Sequence, residues 1–282
     1  MKSLLKLTGI ALGISIAFTS CKKDNSVDNT EFETTFTLSS YEGISENLMQ
    51  DANDVLNEVA ADNNLQGTNF TSGAAETNGI LNCATVTITP ANSFPKTIVI
   101  DFGAGGCTSP NGIVRSGKIN VTLTDSLRRP GSVATLNFDN YFVSGFKKEG
   151  NVTWTNTSTA NTKSWRRTCT NGKITAPNGN YWLHSGTQNV TQIAGNNTPL
   201  NLIDDVFTIT GNRTITNAAG NTRVGTIINA LQKKASCENI DQGTYQIQGP
   251  NHTATIDYGN GACDKIATIS IDGRPARTFL LR

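Results

Sequence analysis

The sequence predicts an all-β protein with one N-terminal amphipathic helix. Its strands are expected to form a large antiparallel meander that makes a curved sheet, a sandwich or a partly open barrel. Two observations predict this class. Thr (39), Asn (32) and Gly (26) supply 97 of the 282 residues, and these residue types favour strands and turns. Short strand-like segments also recur between Gly, Asn and Pro turns along most of the chain.

The N-terminal segment 1–20 has the pattern of a signal peptide. Two lysines precede an uncharged run from Leu7 to Phe18, which is shorter than the roughly 20 apolar residues that span a bilayer. This run and the small residues before Cys21 resemble the lipobox of bacterial lipoproteins. The resemblance implies cleavage before Cys21, acylation of that residue with palmitate-like chains, and anchoring at the outer membrane, either facing the periplasm or exposed at the surface. The alternative is an ordinary secretory signal followed by an unmodified cysteine.

The mature chain is predicted to begin with a tether and to continue as one domain. Residues 21–37 are expected to form a lipidated flexible tether, because the segment after Cys21 is polar and lacks apolar periodicity. Residues 38–282 contain no linker-like stretch, so we expect them to form a single β-rich domain.

The clearest helical pattern lies between Ser45 and Ala61. Apolar residues from Leu48 to Val59 recur there at spacings of three and four, with acidic residues between them. Ser45 is a candidate N-cap, and the pair at 63–64 is a candidate stop. We expect this helix to cover one face or the open end of the sheet. The alternative is that it binds a partner.

An internal repeat organises the strands at the two ends of the domain. Segments 97–107 (TIVIDFGAGGC) and 253–263 (TATIDYGNGAC) are identical at six of eleven positions. In each copy, a strand-like segment and a turn precede the repeated strand. The repeat therefore predicts related hairpin units near 83–124 and 237–272.

The repeat also selects among the cysteine pairings. With Cys21 acylated, the five other cysteines allow many pairings in the oxidising compartment that an exported chain enters. Each repeat places one cysteine just outside each outer end of a hairpin, within reach of a disulfide. The predicted bonds are Cys83–Cys107 and Cys237–Cys263. Cys169 remains, and we expect it to be a buried small residue and not a nucleophile.

The repeated phrase Ile-Asp-Phe/Tyr-Gly-x-Gly-x-Cys, in a Thr/Asn-rich chain, resembles a group of uncharacterised lipoproteins of Bacteroidota. The segment from Arg129 to Ser132, which leads into Leu136–Tyr141, carries the same resemblance. It covers most of residues 80–272. It implies the envelope location and the topology, and it implies no activity.

Seven further strands are predicted between the end hairpins. With those hairpins they make roughly a dozen strands, and an open sheet of more than about ten strands curls, splits or closes. The predicted strands lie near 114–124, 133–143, 150–157, 164–170, 180–192, 205–217 and 222–231.

The sequence contains none of the common hydrolase, metalloprotease, nucleotide-binding or dithiol motifs, so we expect no enzyme activity, no cofactor and no metal. His184 and His252 lack neighbouring ligand residues. Asp101 and Asp257 occupy the same position in the two repeats, where they are predicted to cap glycine-rich turns. The alternative is that they form a carboxylate pair for hydrolysis.

The best candidate for a binding surface is the central block that contains all three tryptophans. Aromatic faces beside cationic groups can stack on sugar rings or hold anionic polymers. We favour the other interpretation, in which the tryptophans pack in the core while the basic residues point outward. The candidate residues are Trp154, Trp165, Trp182, Tyr181, Arg166 and Arg167.

The chain is close to neutral, with a formal charge of +1 and 16% charged residues. This composition argues against nucleic acid as a partner and leaves a glycan, an apolar ligand or an envelope protein, besides the membrane that holds the lipid anchor. The sequence therefore predicts a lipid-anchored, non-catalytic envelope protein with a structural or ligand-binding role. One alternative is a carrier of lipid or another apolar ligand in a half-closed barrel lidded by the helix, and a weaker one is a hydrolase.

Overall fold

The computed structural model describes residues 25–67 and 75–281. It contains one helix and one 14-stranded antiparallel sheet, which confirms the predicted fold class. The helix, α1, comprises Asn25–Asp62. The strands are β1 (Thr85–Thr89), β2 (Lys96–Asp101), β3 (Cys107–Thr108), β4 (Val114–Leu123), β5 (Val133–Val143), β6 (Phe146–Asn156), β7 (Lys163–Thr175), β8 (Tyr181–Ala194), β9 (Val206–Asn217), β10 (Thr222–Lys234), β11 (Gln242–Gln248), β12 (Thr253–Asn260), β13 (Ile266–Ile271) and β14 (Arg277–Leu280).

The sheet is an open, curved meander in which strands adjacent in sequence are adjacent in space. Its order runs β1, β2, β4 and then each strand in turn to β14, while the short β3 pairs with β4. All seven strands predicted between the end hairpins are present, and β5 has the predicted limits of 133 and 143. Of the three predicted arrangements, the structure is the curved open sheet.

The two faces of the sheet differ in polarity, as alternation along a strand requires. In β9, Phe207, Ile209 and Ile215 are buried in the core, whereas the intervening threonines lie on the outer face. The strand register extends this pattern across the sheet as one outer row of uncharged polar residues. The row is Thr89, Thr97, Thr122, Thr135, Thr153, Thr168, Thr187, Asn212, Thr226, Gln246, Thr255 and Ser270.

The helix lies inside the curve of the sheet and is buried on all sides over its central turns. Five consecutive residues, 48–52, are each no more than 2% exposed, and five residues cover more than one full helical turn. The expectation that α1 covers one face of the sheet is confirmed, and inward-facing strand residues contact the polar side of the helix as well as its apolar side. No helix among the described residues is long and apolar enough to cross a membrane.

The predicted helix start is wrong, and the predicted stop is confirmed. Ser45 lies in the middle of α1, where its hydroxyl donates to the Tyr41 carbonyl and accepts from the Trp182 indole. At the other end, the backbone N–H of Leu65 bonds to the Ala60 carbonyl at 2.8 Å, and Asn64 has a φ of 57°. This is the Schellman arrangement, in which a left-handed residue ends the helix.

The predicted flexible tether, residues 21–37, is helical from Asn25 onward. Thr35 is fully buried and accepts a hydrogen bond from Arg223, and the rings of Phe32 and Phe36 pack against the core. Residues 25–37 lack an apolar stripe because both polar and apolar side chains of the sheet pack against them. Cys21 and the signal segment 1–20 lie outside the described residues.

Candidate functional site

The helix α1 and the strands contribute buried charges of opposite sign to the core. Among the described residues, the buried charged side chains of the strands are all cationic, and those of α1 are all anionic. Opposite charges in an interior must pair, since an isolated charge there is very costly. The buried strand cations are Lys96, Arg115, Lys148, Arg167, Arg213, Arg223 and Lys233, and the buried helix anions are Glu42, Glu46, Asp51 and Glu58.

Glu46 is the centre of this charged interior. One carboxylate oxygen accepts a hydrogen bond from Arg167, and the other accepts from Arg213 at 2.8 Å and from Gln188 at 2.7 Å. Burial alone would raise the pKa of Glu46, but Arg167 and Arg213 outweigh it and lower the pKa to about 2. Glu46 is therefore a fixed anion that ties β7, β8 and β9 to the helix.

Glu42 lies one helical turn earlier and behaves differently. Its carboxylate is 3.4 Å from the Arg213 Nε, and Glu46 lies near it. Burial raises the pKa of Glu42 to about 7 despite the attraction of Arg213. This carboxyl can therefore gain or lose a proton near neutral pH.

Two further clusters repeat the pattern along the helix. Asp51 accepts hydrogen bonds from Arg115 Nε at 3.2 Å and from the Tyr141 hydroxyl at 3.1 Å. Lys148 donates to the Leu48 carbonyl at 3.3 Å, and burial lowers the pKa of its ammonium group to about 7. Each of these contacts joins a strand to α1.

The described histidines belong to separate clusters. His184 is buried beside Arg213 and the Cys169 thiol, with Cys169 Sγ 3.7 Å from Nδ1, and burial holds the pKa of His184 well below its usual range. His252 instead bonds to Asp272 at 2.6 Å, at a turn between strands. The two rings therefore make no joint ligand set, and Cys169 is buried, as predicted.

The tryptophan block is not an exposed binding surface. Trp154, Trp165 and Trp182 are at most 7% exposed and belong to the core. Trp182 stacks on Tyr41 of the helix, with ring centroids 4.1 Å apart. The favoured prediction, that these tryptophans pack in the core, is confirmed, because strand alternation turns all three toward α1.

The basic residues of the block divide between the two faces. Arg167 points inward to Glu46, contrary to the expectation that the basic residues point outward. Arg166 is exposed, and Tyr181 is 39% exposed with the Lys173 ammonium 4.9 Å from its ring centroid. Of the predicted binding residues, only these two remain available to an outside molecule.

The repeated aspartates cap their own turns. The Asp101 carboxylate accepts from the Gly103 amide and the Asp257 carboxylate from the Gly259 amide, each at 2.8 Å. Asp101 also pairs with Lys118 at 2.9 Å. The turn-capping prediction is confirmed for both carboxylates.

Both predicted cysteine pairs are at disulfide distance. The Cα atoms of Cys83 and Cys107 are 5.6 Å apart, and those of Cys237 and Cys263 are 5.1 Å apart. Each bond therefore closes one of the related hairpin units. Asp241 lies beside the second pair, but sulfurs bonded to each other offer no thiolate to a metal.

A surface recess of about 400 Å³ lies beside the second disulfide. Loops from both ends of the sheet line it, which shows how far the sheet curls. Its charged side chains pair with one another, as Arg115 does with Asp51 and Lys265 with Glu238. Asn239, also in the lining, has a buried side-chain oxygen without a hydrogen-bond partner. The recess has room for a small polar ligand.

Two cavities between the described parts of the helix and the sheet are small. One cavity beside Trp154 and Leu56 measures about 10 Å³, and another beside Glu58 and Phe207 measures about 20 Å³. Volumes of this size suit a single water molecule. The described interior thus holds α1 in the place where an apolar ligand would lie.

Sequence reasoning missed the buried charges, although the strand pattern contained a signal for them. Arg167 lies two residues from Trp165 and from Cys169, so alternation places all three on one face. The same rule places Arg213 on the face of Ile215. A cation at an inward position of a strand predicts that an anion is buried beside it. It does not predict which helix or strand carries that anion.

No protein-family model, curated protein or solved structure matches this chain.

Proposed function

We propose that the protein is a lipid-anchored, non-catalytic component of the bacterial cell envelope, with a structural or ligand-binding role. The observation that carries the proposal is the lipobox-like run that ends at Cys21. Two disulfide-spaced cysteine pairs support it, because such bonds persist in the oxidising compartments of the envelope.

The chemistry of the interior supports the absence of catalysis. The perturbed groups Glu42, Glu46, Lys148 and His184 are buried, and each contacts either the helix or a buried strand arginine. Perturbed pKa values also arise in structural ion networks, and this network joins the two halves of the core. Its groups stabilise the fold and do not face a substrate.

The filled interior favours this role over that of an apolar-ligand carrier. A carrier needs an apolar cavity of several hundred Å³, whereas two cavities between α1 and the sheet are about 10 and 20 Å³, and the larger recess has charged and amide side chains in its lining. A ligand or partner would instead meet the outer face, the turns or the recess beside Asn239. Native mass spectrometry that finds co-purified lipid would contradict this choice.

Metabolic labelling with a palmitate analogue tests the anchor. We expect label on the native chain and on Cys169→Ala, and none on Cys21→Ala, which should leave the membrane fraction. The Cys169 variant is the matched control because it removes a thiol without touching the lipobox. An unlabelled native chain, or membrane retention of Cys21→Ala, would refute the proposal.

A further inference from the structure

We infer that the protein contacts the membrane surface with one defined end, which we call the anchor end. It comprises the turns 217–222, 249–252 and 272–276, which follow β9, β11 and β13. The inference rests on the proposed acylation of Cys21. It deepens that proposal by naming the surface of the folded domain that meets the lipid.

The first argument is the length of the link. Because α1 begins at Asn25, three residues, 22–24, separate the helix from Cys21. Four Cα steps span at most about 14 Å. The flexible tether expected for residues 21–37 would span up to about 60 Å when extended. Because residues 25–37 are helical, the link between Cys21 and the folded domain is much shorter than the flexible tether that the sequence predicted.

The second argument is that the start of α1 is fixed to the sheet. Glu31 pairs with Arg223 at 2.9 Å and with His252 at 3.2 Å. The Arg274 guanidinium lies 4.6 Å from the centroid of the Phe32 ring. These contacts attach the helix to the turns 249–252 and 272–276 and to the first residues of β10, which directly follow the turn 217–222, so it cannot swing as a separate tether.

The distance from lipid to turns then follows from helix geometry. Glu31 lies six residues beyond Asn25, which is a rise of about 9 Å. Together with the link, this places the anchor end within roughly 25 Å of the acylated residue. The domain is therefore held against the bilayer and is not suspended above it.

The opposite end of the molecule is far from the lipid. The helix ends at Asp62, about 55 Å from Asn25 along its axis. There the carbonyls of Leu65 and Gln66 accept hydrogen bonds from the backbone of Leu127 and Arg128. The loop 124–132 and the neighbouring turn 157–162 thus form the far end.

The composition of the anchor end suits lipid headgroups more than acyl chains. Its turns are rich in Asn, Gly and Pro, and Arg274 is exposed. Basic residues beside a bilayer are attracted to anionic headgroups, whereas insertion into the hydrocarbon would need apolar side chains.

Energy transfer to labelled lipid tests the orientation. Ala276→Cys at the anchor end and Ala160→Cys at the far end are matched, since both alanines are exposed turn residues. Each acylated full-length variant carries one dye and sits in phosphatidylethanolamine–phosphatidylglycerol (3:1) vesicles that contain a rhodamine-labelled lipid. We expect at least threefold more transfer from position 276 than from 160. Equal transfer, or more from 160, would overturn the inference.

A variant with a longer link tests whether the short link is what holds the domain at the membrane. Insertion of 20 Gly/Ser residues between Asp24 and Asn25 adds a mean span of about 25 Å. We expect transfer from position 276 to fall at least twofold. Transfer that stays unchanged would show that the short link does not hold the domain at the membrane.

A second anchor separates this inference from the proposed function. In this arm, chains that begin at Lys22 carry an N-terminal hexahistidine segment and bind vesicles with nickel-chelating lipid. Absence of palmitate labelling in cells would refute the proposed lipid anchor. The nickel-anchored chains would still report which end faces the lipid, and a difference between 276 and 160 is again the expected result.

Discussion

At Glu46, three strands and the helix meet on a single carboxylate. Arg167 and Arg213 are each about 1% exposed, so neither can recover hydration if this anion is lost. Removing one partner of a buried ion pair generally costs more than the pair contributes, since the other charge stays buried. The residue therefore matters more for specifying the fold than for any chemistry.

We predict that Glu46→Gln destabilises the protein by about 3 to 5 kcal/mol. Gln keeps the shape and a hydrogen-bonding oxygen but leaves two buried guanidinium groups without their shared charge. Urea unfolding, followed by tryptophan fluorescence, measures the change. Glu33→Gln is the control, because its pair with Arg277 is exposed and should contribute at most about 1 kcal/mol. Equal effects of the two substitutions would contradict the prediction.

Glu42 should give the stability a pH dependence of defined sign. Its pKa is about 7 in the folded protein and 4.5 for an unperturbed glutamate, as in the unfolded chain, so the folded form holds the extra proton between these values. Its contribution to stability is complete below pH 4.5 and is lost as the pH rises to 7.

Glu42→Gln should remove this fall in the free energy of unfolding with rising pH. Relative to the native chain, the variant is expected to gain on the order of 3 kcal/mol of unfolding free energy between pH 4.5 and pH 7. Urea midpoints measured across this interval test it, with Glu33→Gln as a control that keeps the native profile. Parallel curves for the native and Glu42→Gln chains would show that this carboxyl does not titrate there.

Glycines at which the backbones of neighbouring strands approach closely let the sheet curve around the helix. Gly117 in β4 has a φ of +77°, and a Cβ there would lie 2.0 Å from the carbonyl oxygen of Asn140 in β5. Gly150 meets the backbone of Asn171 in the same way, at 2.4 Å. Glycines at such positions permit the bends that curved sheets need.

Gly117→Ala and Gly131→Ala separate backbone strain from crowding. Gly131 has a similar φ of +83°, but nothing lies within 4 Å of an added Cβ. We expect Gly131→Ala to cost about 1 kcal/mol, the strain of a left-handed alanine. Gly117→Ala should cost at least about 3 kcal/mol, because a strand must also move. Thermal unfolding of the two variants measures the difference, and similar melting temperatures would argue against a bend at Gly117.

The helix and the sheet depend on each other at the scale of the whole molecule. The sheet holds buried cations such as Arg115, Arg167 and Arg213, and their partners lie on α1. Without the helix, these charges and all three tryptophans would line an open groove. The interior is thus an interface between two parts of one chain, and neither part has a core without the other.

Residues 75–282 alone should therefore fail to form a fixed core. We predict that this fragment lacks the near-ultraviolet circular dichroism of packed tryptophans and unfolds without a cooperative transition. Addition of a peptide covering residues 25–62 should restore both. A Glu46→Ala peptide is the control and should restore less. A fragment with native spectra by itself would refute this dependence.

Several features of the fold could be predicted from sequence because they depend on local pattern. Alternation located the strands from β4 to β10, and the repeat paired Cys83 with Cys107 and Cys237 with Cys263. The caps at Asp101 and Asp257 followed from an Asp before a glycine turn. In each case the interacting groups are close in sequence or are related by the repeat.

Alternation, turn chemistry and a repeated segment were enough to predict the all-β class, the approximate positions of the central strands and the disulfide pairs. Contacts between distant parts of the chain set the start of the helix at Asn25, its position inside the sheet, and the pairing of Glu46 with Arg167 and Arg213, which are 121 and 167 residues away. A helix surrounded by strands needs no apolar stripe, because buried cations on the strands let its acidic face enter the core.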